Sequence, residues 1–267
     1  MSPEKIGKYK ITKFPKARIP TLDFLELGDK NHYVKSLIDV DVTKGRQNII
    51  TYEQNNGVKL SFTAWLLKCI ANAANEYNAV HSMMLGKKKI IIFDDVDISI
   101  TVEKSIKGIK VPMPLVVRKT NEKNLLQIHE EIRGAQNEDL NGATVLGESK
   151  LDRKMKIYTS MPKFIRKFMI RNIIKDPFKV KQLMGTIIVT SIGMFGKVNG
   201  WPIPTTAHPL AFAIGGITKK AGVINNNIEI REFLSITILF NHDVVDGAPA
   251  TRFVSRLVEL IESGFGI

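Results

Sequence analysis

The chain is poor in several residue types that would point to familiar chemistries. It has one cysteine, Cys69, in 267 residues, so it can form no internal disulfide. That cysteine sits in the apolar helical pattern LSFTAWLLKCIANAANEY, which suits a buried, inert thiol rather than a nucleophile. No apolar run approaches the roughly 20 residues that a membrane-spanning helix requires. The first residues, MSPEKIGKYKITKFPK, are polar and basic with no apolar stretch behind them, unlike a signal peptide. Together these absences favour a reducing, cytoplasmic setting. There is no Walker loop and no G-x-G-x-x-G ahead of a helix, so neither nucleotide hydrolysis nor dinucleotide binding is expected. His32, His81, His129 and His208 show no metal-ligand spacing, and no metal is expected. No internal repeat or Pro/Gly/Ser-rich linker interrupts residues 1–267, which read as a single domain.

Acidic residues are also few: 26 Asp and Glu stand against 39 Lys and Arg, a net charge of +13. The excess is concentrated. Between Lys150 and Lys181 eleven basic residues accompany two Asp, a local +9 that leaves only +4 for the rest. That distribution does not describe a nucleic-acid-binding surface, and no nucleic-acid partner is expected. Residues 137–184 resemble an insertion. Within 161–184, Phe164, Ile165, Phe168, Met169 and Ile173 can form an apolar stripe, with Lys163, Arg166, Lys167 and Arg171 largely opposite. Three roles fit: a surface helix packed on the core with a solvated basic face, a helix binding an anionic membrane surface or a partner, or an attractor of phosphate-bearing ligands or acidic partners.

What is present alternates between helical and strand patterns. Strands are expected at 33–43, 89–104, 109–119, 186–192, 210–220 and 228–241, the last long enough for two. Ser61 can cap a helix to about Asn75, Asn121 one to about Gln136, and Pro249 suits the first turn of a closing helix to Ser263. Helices interspersed with strands in this order argue an α/β domain, a sheet covered by helices.

The segment 240-FNHDVVDGAPATRF-253 places His242 just past a strand end, with Asp246 and Gly247 in the turn before the last helix. Histidine titrates near neutrality, so a base there is chemically apt. A structural histidine beside an Asp-Gly turn fits that spacing equally well.

HDVVDGAPATRFVSRLVELIE resembles the C-terminal signature of the acyltransferase components of 2-oxo acid dehydrogenase complexes, which share an H-x-x-x-D-G motif and a fold with chloramphenicol acetyltransferase. The segments 185-GTIIVTSIGMFG-196, 62-FTAWLLKCIANAANEYNAVHS-82, 90-IIIFDDVDISITVE-103 and 110-KVPMPLVVRKTNEKNLLQIHEEI-132 resemble the same catalytic domain, in the same order. The resemblance implies a two-layer α/β sandwich with a mixed sheet, assembled as a trimer or a higher assembly of trimers. It implies His242 as the base that takes the proton from the CoA thiol and Thr190 as the hydroxyl donor to the oxyanion, from neighbouring chains. It implies CoA or acyl-CoA as substrate and a thiol acceptor such as dihydrolipoyl. A small-molecule O- or N-acyltransferase, or a non-catalytic oligomeric scaffold, are the alternatives. Asp246 matches a supporting position that often pairs with an arginine, for which Arg18 is the candidate, and Gly247 fits a turn that a side chain would obstruct. Two features depart from the family pattern. Asp243 stands where Arg usually follows the histidine. About 30 residues precede the catalytic-like region, too few for a lipoyl module, which points to a lipoyl arm on a separate protein or to small-molecule substrates.

Overall fold

A computed structural model of the chain describes residues 7–29, 31–106, 109–137, 156–193 and 199–267. The strands are β1 (Tyr33–Asp41), β2 (Met83–Leu85), β3 (Lys89–Ile91), β4 (Ile98–Ile106), β5 (Ile109–Val117), β6 (Ile187–Ser191), β7 (Leu210–Ile224) and β8 (Asn227–Asn241). Six of them form one sheet in the order β1-β8-β7-β6-β4-β5, while β2 and β3 pair separately. The sheet is mixed: β6 runs parallel to both β4 and β7, and the other pairings are antiparallel. The helices are α1 (Ile19–Gly28), α2 (Thr43–Asn56), α3 (Phe62–Glu76), α4 (Leu125–Asn137), α5 (Lys163–Ile174), α6 (Pro177–Met184) and α7 (Gly247–Glu262).

Strand alternation decides which side is core. Leu210, Phe212 and Ile214 of β7 and Ile236, Ile238 and Phe240 of β8 pack against buried residues of α3, α4 and α7. Phe253 of α7 meets Phe240 edge-on at 5.8 Å between ring centroids. The intervening residues Ala211, Ala213 and Thr237 therefore turn to the opposite face. α3 starts where the Ser61 hydroxyl accepts from Ala64 N–H at 3.4 Å, the cap its sequence suggests. Cys69 lies buried on that helix, and burial pushes its thiol up to about 12. β7 and β8 are joined through Asn225 and Asn226, whose φ values of 48° and 65° match the paired left-handed residues of a tight hairpin.

Four expectations are corrected. The run 89–104 is two strands, because Asp97 turns inward to accept from Lys119 N–H, Arg118 and Lys181. The run 228–241 is one strand, paired along its length with β7 and, over its C-terminal half, with β1. Asn124, not Asn121, opens α4: its side chain and that of Gln127 each accept from the other's backbone N–H, a reciprocal cap. Asn121 instead accepts from Val96 N–H.

The fourth concerns the basic segment. α5 buries no residue, and its Phe164 and Phe168 are 72% and 66% exposed. Its inward side is polar: Arg166 pairs with buried Asp23 of α1 at 2.7 Å, and Lys163 and Lys167 both pair with Glu26, which they hold down to about 2. An apolar stripe packed on the core beneath a solvated basic face is thus the reverse of what forms.

Candidate active site

β8 ends at Asn241 and the chain turns at once. The Asn241 side chain accepts from Asp243 N–H at 3.0 Å, and its carbonyl accepts from Val244 and Val245 N–H. Asn241 N–H donates to the Pro209 carbonyl at 2.9 Å and His242 N–H to the His32 carbonyl at 2.7 Å. Buried Val245 anchors the far side of the turn. The His242 backbone is therefore held from three sides while its imidazole stays exposed. An exposed ring on a fixed backbone can meet a substrate without first breaking an internal contact.

The carboxylate of Asp243 meets His32 Nδ1 at 2.8 Å. It is thus directed to His32 and not to the His242 ring, so a carboxylate next in sequence to the candidate base belongs to a different contact. Asp246 occupies the cap position of α7, exposed and without a side-chain capping bond. Arg18 lies exposed in the turn Lys16–Arg18, and among the described residues it forms no ion pair with Asp246. Their expected pairing is absent from the single chain. The steric reason expected for Gly247 is absent too, since a Cβ added there would meet nothing within 4 Å.

Thr190 lies on β6, alternate to Val189, and so on the sheet face away from the helices. Nothing among the described residues accepts from its hydroxyl. It pairs with Ala213, which pairs with Thr237. Thr190 is thus two strands from β8 and four residues from the strand end that bears His242. At about 4.8 Å per strand and 3.3 Å per residue the two backbones lie roughly 16 Å or more apart. One chain does not bring His242 and Thr190 together.

The glycine that opens this strand is demanded by its surroundings. Gly185 has φ +73°, and a Cβ there would lie 2.5 Å from the Asp97 carbonyl.

Behind the His242 turn lies a polar cluster that sequence reasoning missed. The Tyr33 hydroxyl donates at the carbonyls of Thr206 (3.0 Å) and His208 (2.8 Å) and accepts from Asn31. The His208 ring bonds the Thr206 hydroxyl and the Met184 carbonyl, and burial lowers its pKa to about 4. Its neutral ring joins the end of α6 to the loop leading into β7, a structural role. His129 is structural as well, accepting from Ser61 N–H at 3.0 Å. Partners such as His32 and Asp243 are 211 residues apart, and no local pattern marks them. Beside this turn opens a cavity of ≈ 400 Å³ whose wall includes Asn31, Ser82, Lys87, Lys175, Asn241 and Asp243. Among the described residues no group of acidic, His or Cys side chains could hold a metal, and no helix is long and apolar enough to cross a membrane.

The family model "2-oxoacid dehydrogenases acyltransferase (catalytic domain)" matches residues 32–148 and 176–264, which include Thr190, His242, Asp246 and Gly247 but not Arg18. The lipoamide acyltransferase component of the branched-chain alpha-keto acid dehydrogenase complex of Bacillus subtilis is 24% identical over 233 residues, covering 85% of this chain and 46% of that protein. The dihydrolipoyllysine-residue succinyltransferase component of the 2-oxoglutarate dehydrogenase complex of Bartonella vinsonii is 26% identical over 211 residues, covering 79% and 42%. The chain therefore spans about half the length of the curated relatives it matches. Among solved structures, a probable dihydrolipoamide acetyltransferase from Listeria monocytogenes superposes with a TM-score of 0.68 at 19% identity, covering 97% of each chain. On the family match, with the six-stranded mixed sheet and the H-x-x-x-D-G turn in place, the chain belongs to the 2-oxoacid dehydrogenase acyltransferase catalytic-domain family.

Proposed function

We propose that the protein transfers acyl groups between CoA and a thiol acceptor of the dihydrolipoyl type, in the cytoplasm, at sites shared between neighbouring subunits of a trimer. The observation that carries this reading is the placement of His242: an exposed imidazole on a backbone fixed by the His32 and Pro209 contacts, within the family motif. In the reaction His242 removes the proton from the CoA thiol, which is only a few per cent ionised at pH 7 on its own. The thiolate attacks the carbonyl carbon of the acyl thioester, and the Thr190 hydroxyl of an adjacent subunit donates to the oxygen that gains charge. Collapse breaks the bond to the dihydrolipoyl sulfur and expels that thiolate, which takes the proton back from the imidazolium. The distance between Thr190 and His242 within one chain supports a shared site, as in a closed ring of head-to-tail contacts. Exposed Val223, Ile228 and Ile230, near the tip of the β7–β8 hairpin, offer apolar surface for such contacts. Lys87 on the cavity wall suits the phosphates of CoA. Asp246 and Gly247 are assigned to supporting the turn, without an Arg18 pair.

The test is turnover of acetyl-CoA with dihydrolipoamide, a lipoylated partner protein, and hydroxylated amphenicols as acceptors. Transfer to the thiols, lost in His242→Ala, is expected. Transfer only to the hydroxyl acceptor would move the assignment to a small-molecule O-acyltransferase, and no transfer with any acceptor would leave an oligomeric scaffold.

A further inference from the structure

Residues 149–175 fall between the two stretches matched by the family model, and α5 lies within that gap. The outward side of the helix is apolar. Phe164 and Phe168 are followed at helical spacing by Arg171 and Lys175, so that two rings and two cations share one stripe. Ile165 and Met169, 37% and 40% exposed, widen it, and α6 contributes Phe178 and Leu183 at 57% and 58%. The other cations of α5 and α6 are already engaged, Arg166 with Asp23, Lys163 and Lys167 with Glu26, Lys179 with Asp176 and Lys181 with Asp97. Arg171 and Lys175, with Lys156 just upstream, have no ion-pair partner among the described residues. Asp176 is the one acidic residue in 156–184, and it caps α6.

We propose that α5 and α6 dock the protein peripherally on an anionic lipid bilayer. Exposed phenyl rings flanked by cations are the composition of helices that lie in the headgroup region. The long stems of Arg171 and Lys175 let their charged ends stay at phosphate level while Phe164 and Phe168 sit deeper. Charge complementarity selects lipid over a second copy of the same face. A self-complementary contact would set Arg171, Lys175 and Lys156 against their own like charges, in a chain that carries +13 overall. The surface uses none of the residues assigned to acyl transfer.

Co-sedimentation of the full chain with vesicles tests this. Binding is expected to vesicles of phosphatidylcholine with about 30% phosphatidylserine, weak binding to phosphatidylcholine alone, and release as salt is raised. Arg171→Gln and Lys175→Gln should each lower partitioning roughly fivefold. Phe164→Ser with Phe168→Ser should abolish it while circular dichroism stays that of the parent, since neither ring is buried. The proposal fails if phosphatidylserine vesicles capture no protein, or if the double Phe variant binds them as well as the parent. It also fails if the double variant loses a concentration-dependent self-association instead, which would assign the face to a second copy.

Discussion

Replacing Arg166 with methionine tests what holds α5 to the rest of the molecule. Asp23 is 2% exposed and accepts from Arg166 Nε at 2.7 Å, from Nη2 at 3.4 Å and from the Tyr158 hydroxyl at 2.9 Å. The same guanidinium donates to the Met161 carbonyl at 2.6 Å. Methionine preserves much of the stem but leaves the carboxylate with tyrosine alone. Removing one partner of a buried ion pair typically costs about 3–5 kcal/mol. The remaining tyrosine bond places this case near the lower end. Because α5 buries no residue, the core does not resist its release. Its other links to α1, from Lys163 and Lys167 to Glu26, are exposed pairs of the kind worth about 0–1 kcal/mol and screened by salt. A loss of about 3 kcal/mol confined to α5 should raise hydrogen exchange across residues 163–174 by roughly a hundredfold. Exchange in α3 and α7 should not change. Peptide-level exchange mass spectrometry reads both at once, and adding Asp23→Asn should recover part of the protection. Unchanged exchange in α5, or α3 and α7 losing protection in step with it, would refute the reasoning.

Acidification should destabilise the fold through two buried histidines. Burial lowers both His81 and His208 from 6.5 to about 4, so between these values the unfolded chain binds protons that the folded chain does not. Stability therefore falls as pH drops from about 6.5 to 4, by up to about 3 kcal/mol per histidine. Urea midpoints that stay level between pH 7 and 5 would contradict this. The two glycines beside the site should behave oppositely. Gly185→Ala combines a left-handed φ with a 2.5 Å clash and should cost at least about 2 kcal/mol, whereas Gly247→Ala, in open space, should leave the melting temperature unchanged or slightly raised. Asp243→Asn should leave the pH dependence of kcat/KM in place, because its carboxylate bonds His32; a displacement of a full unit would show that it acts on His242.

The parts of the structure that were legible in the sequence are those set by local pattern. The strands at 210–220 and 228–241 and the Ser61 cap appear where expected. α1 and α2 did not announce themselves. TKGRQNIITYEQNN is largely polar, with only Gly45 and Ile49 buried, so its periodicity is faint. The break at Asp97 was invisible because the donors that draw the carboxylate inward, Arg118 and Lys181, are supplied by distant segments. At the candidate site, the H-x-x-x-D-G spacing located the turn, but the His32–Asp243 contact joins residues 211 apart. The reversed orientation of α5 has the same origin, since only α1, with Asp23 and Glu26, makes its basic side the inner one.

The central claim is that His242 and Thr190 act across a subunit boundary, and mixed oligomers test it most directly. His242→Ala and Thr190→Ala should each lose acetyl transfer, on the order of 10²-fold or more. Unfolded together in equal amounts and refolded, the two inactive chains should regain about a quarter of parental activity. In a randomly assembled ring that fraction of sites receives an intact histidine from one chain and an intact threonine from the next. Activity no higher than that of the two variants refolded separately would contradict a shared site.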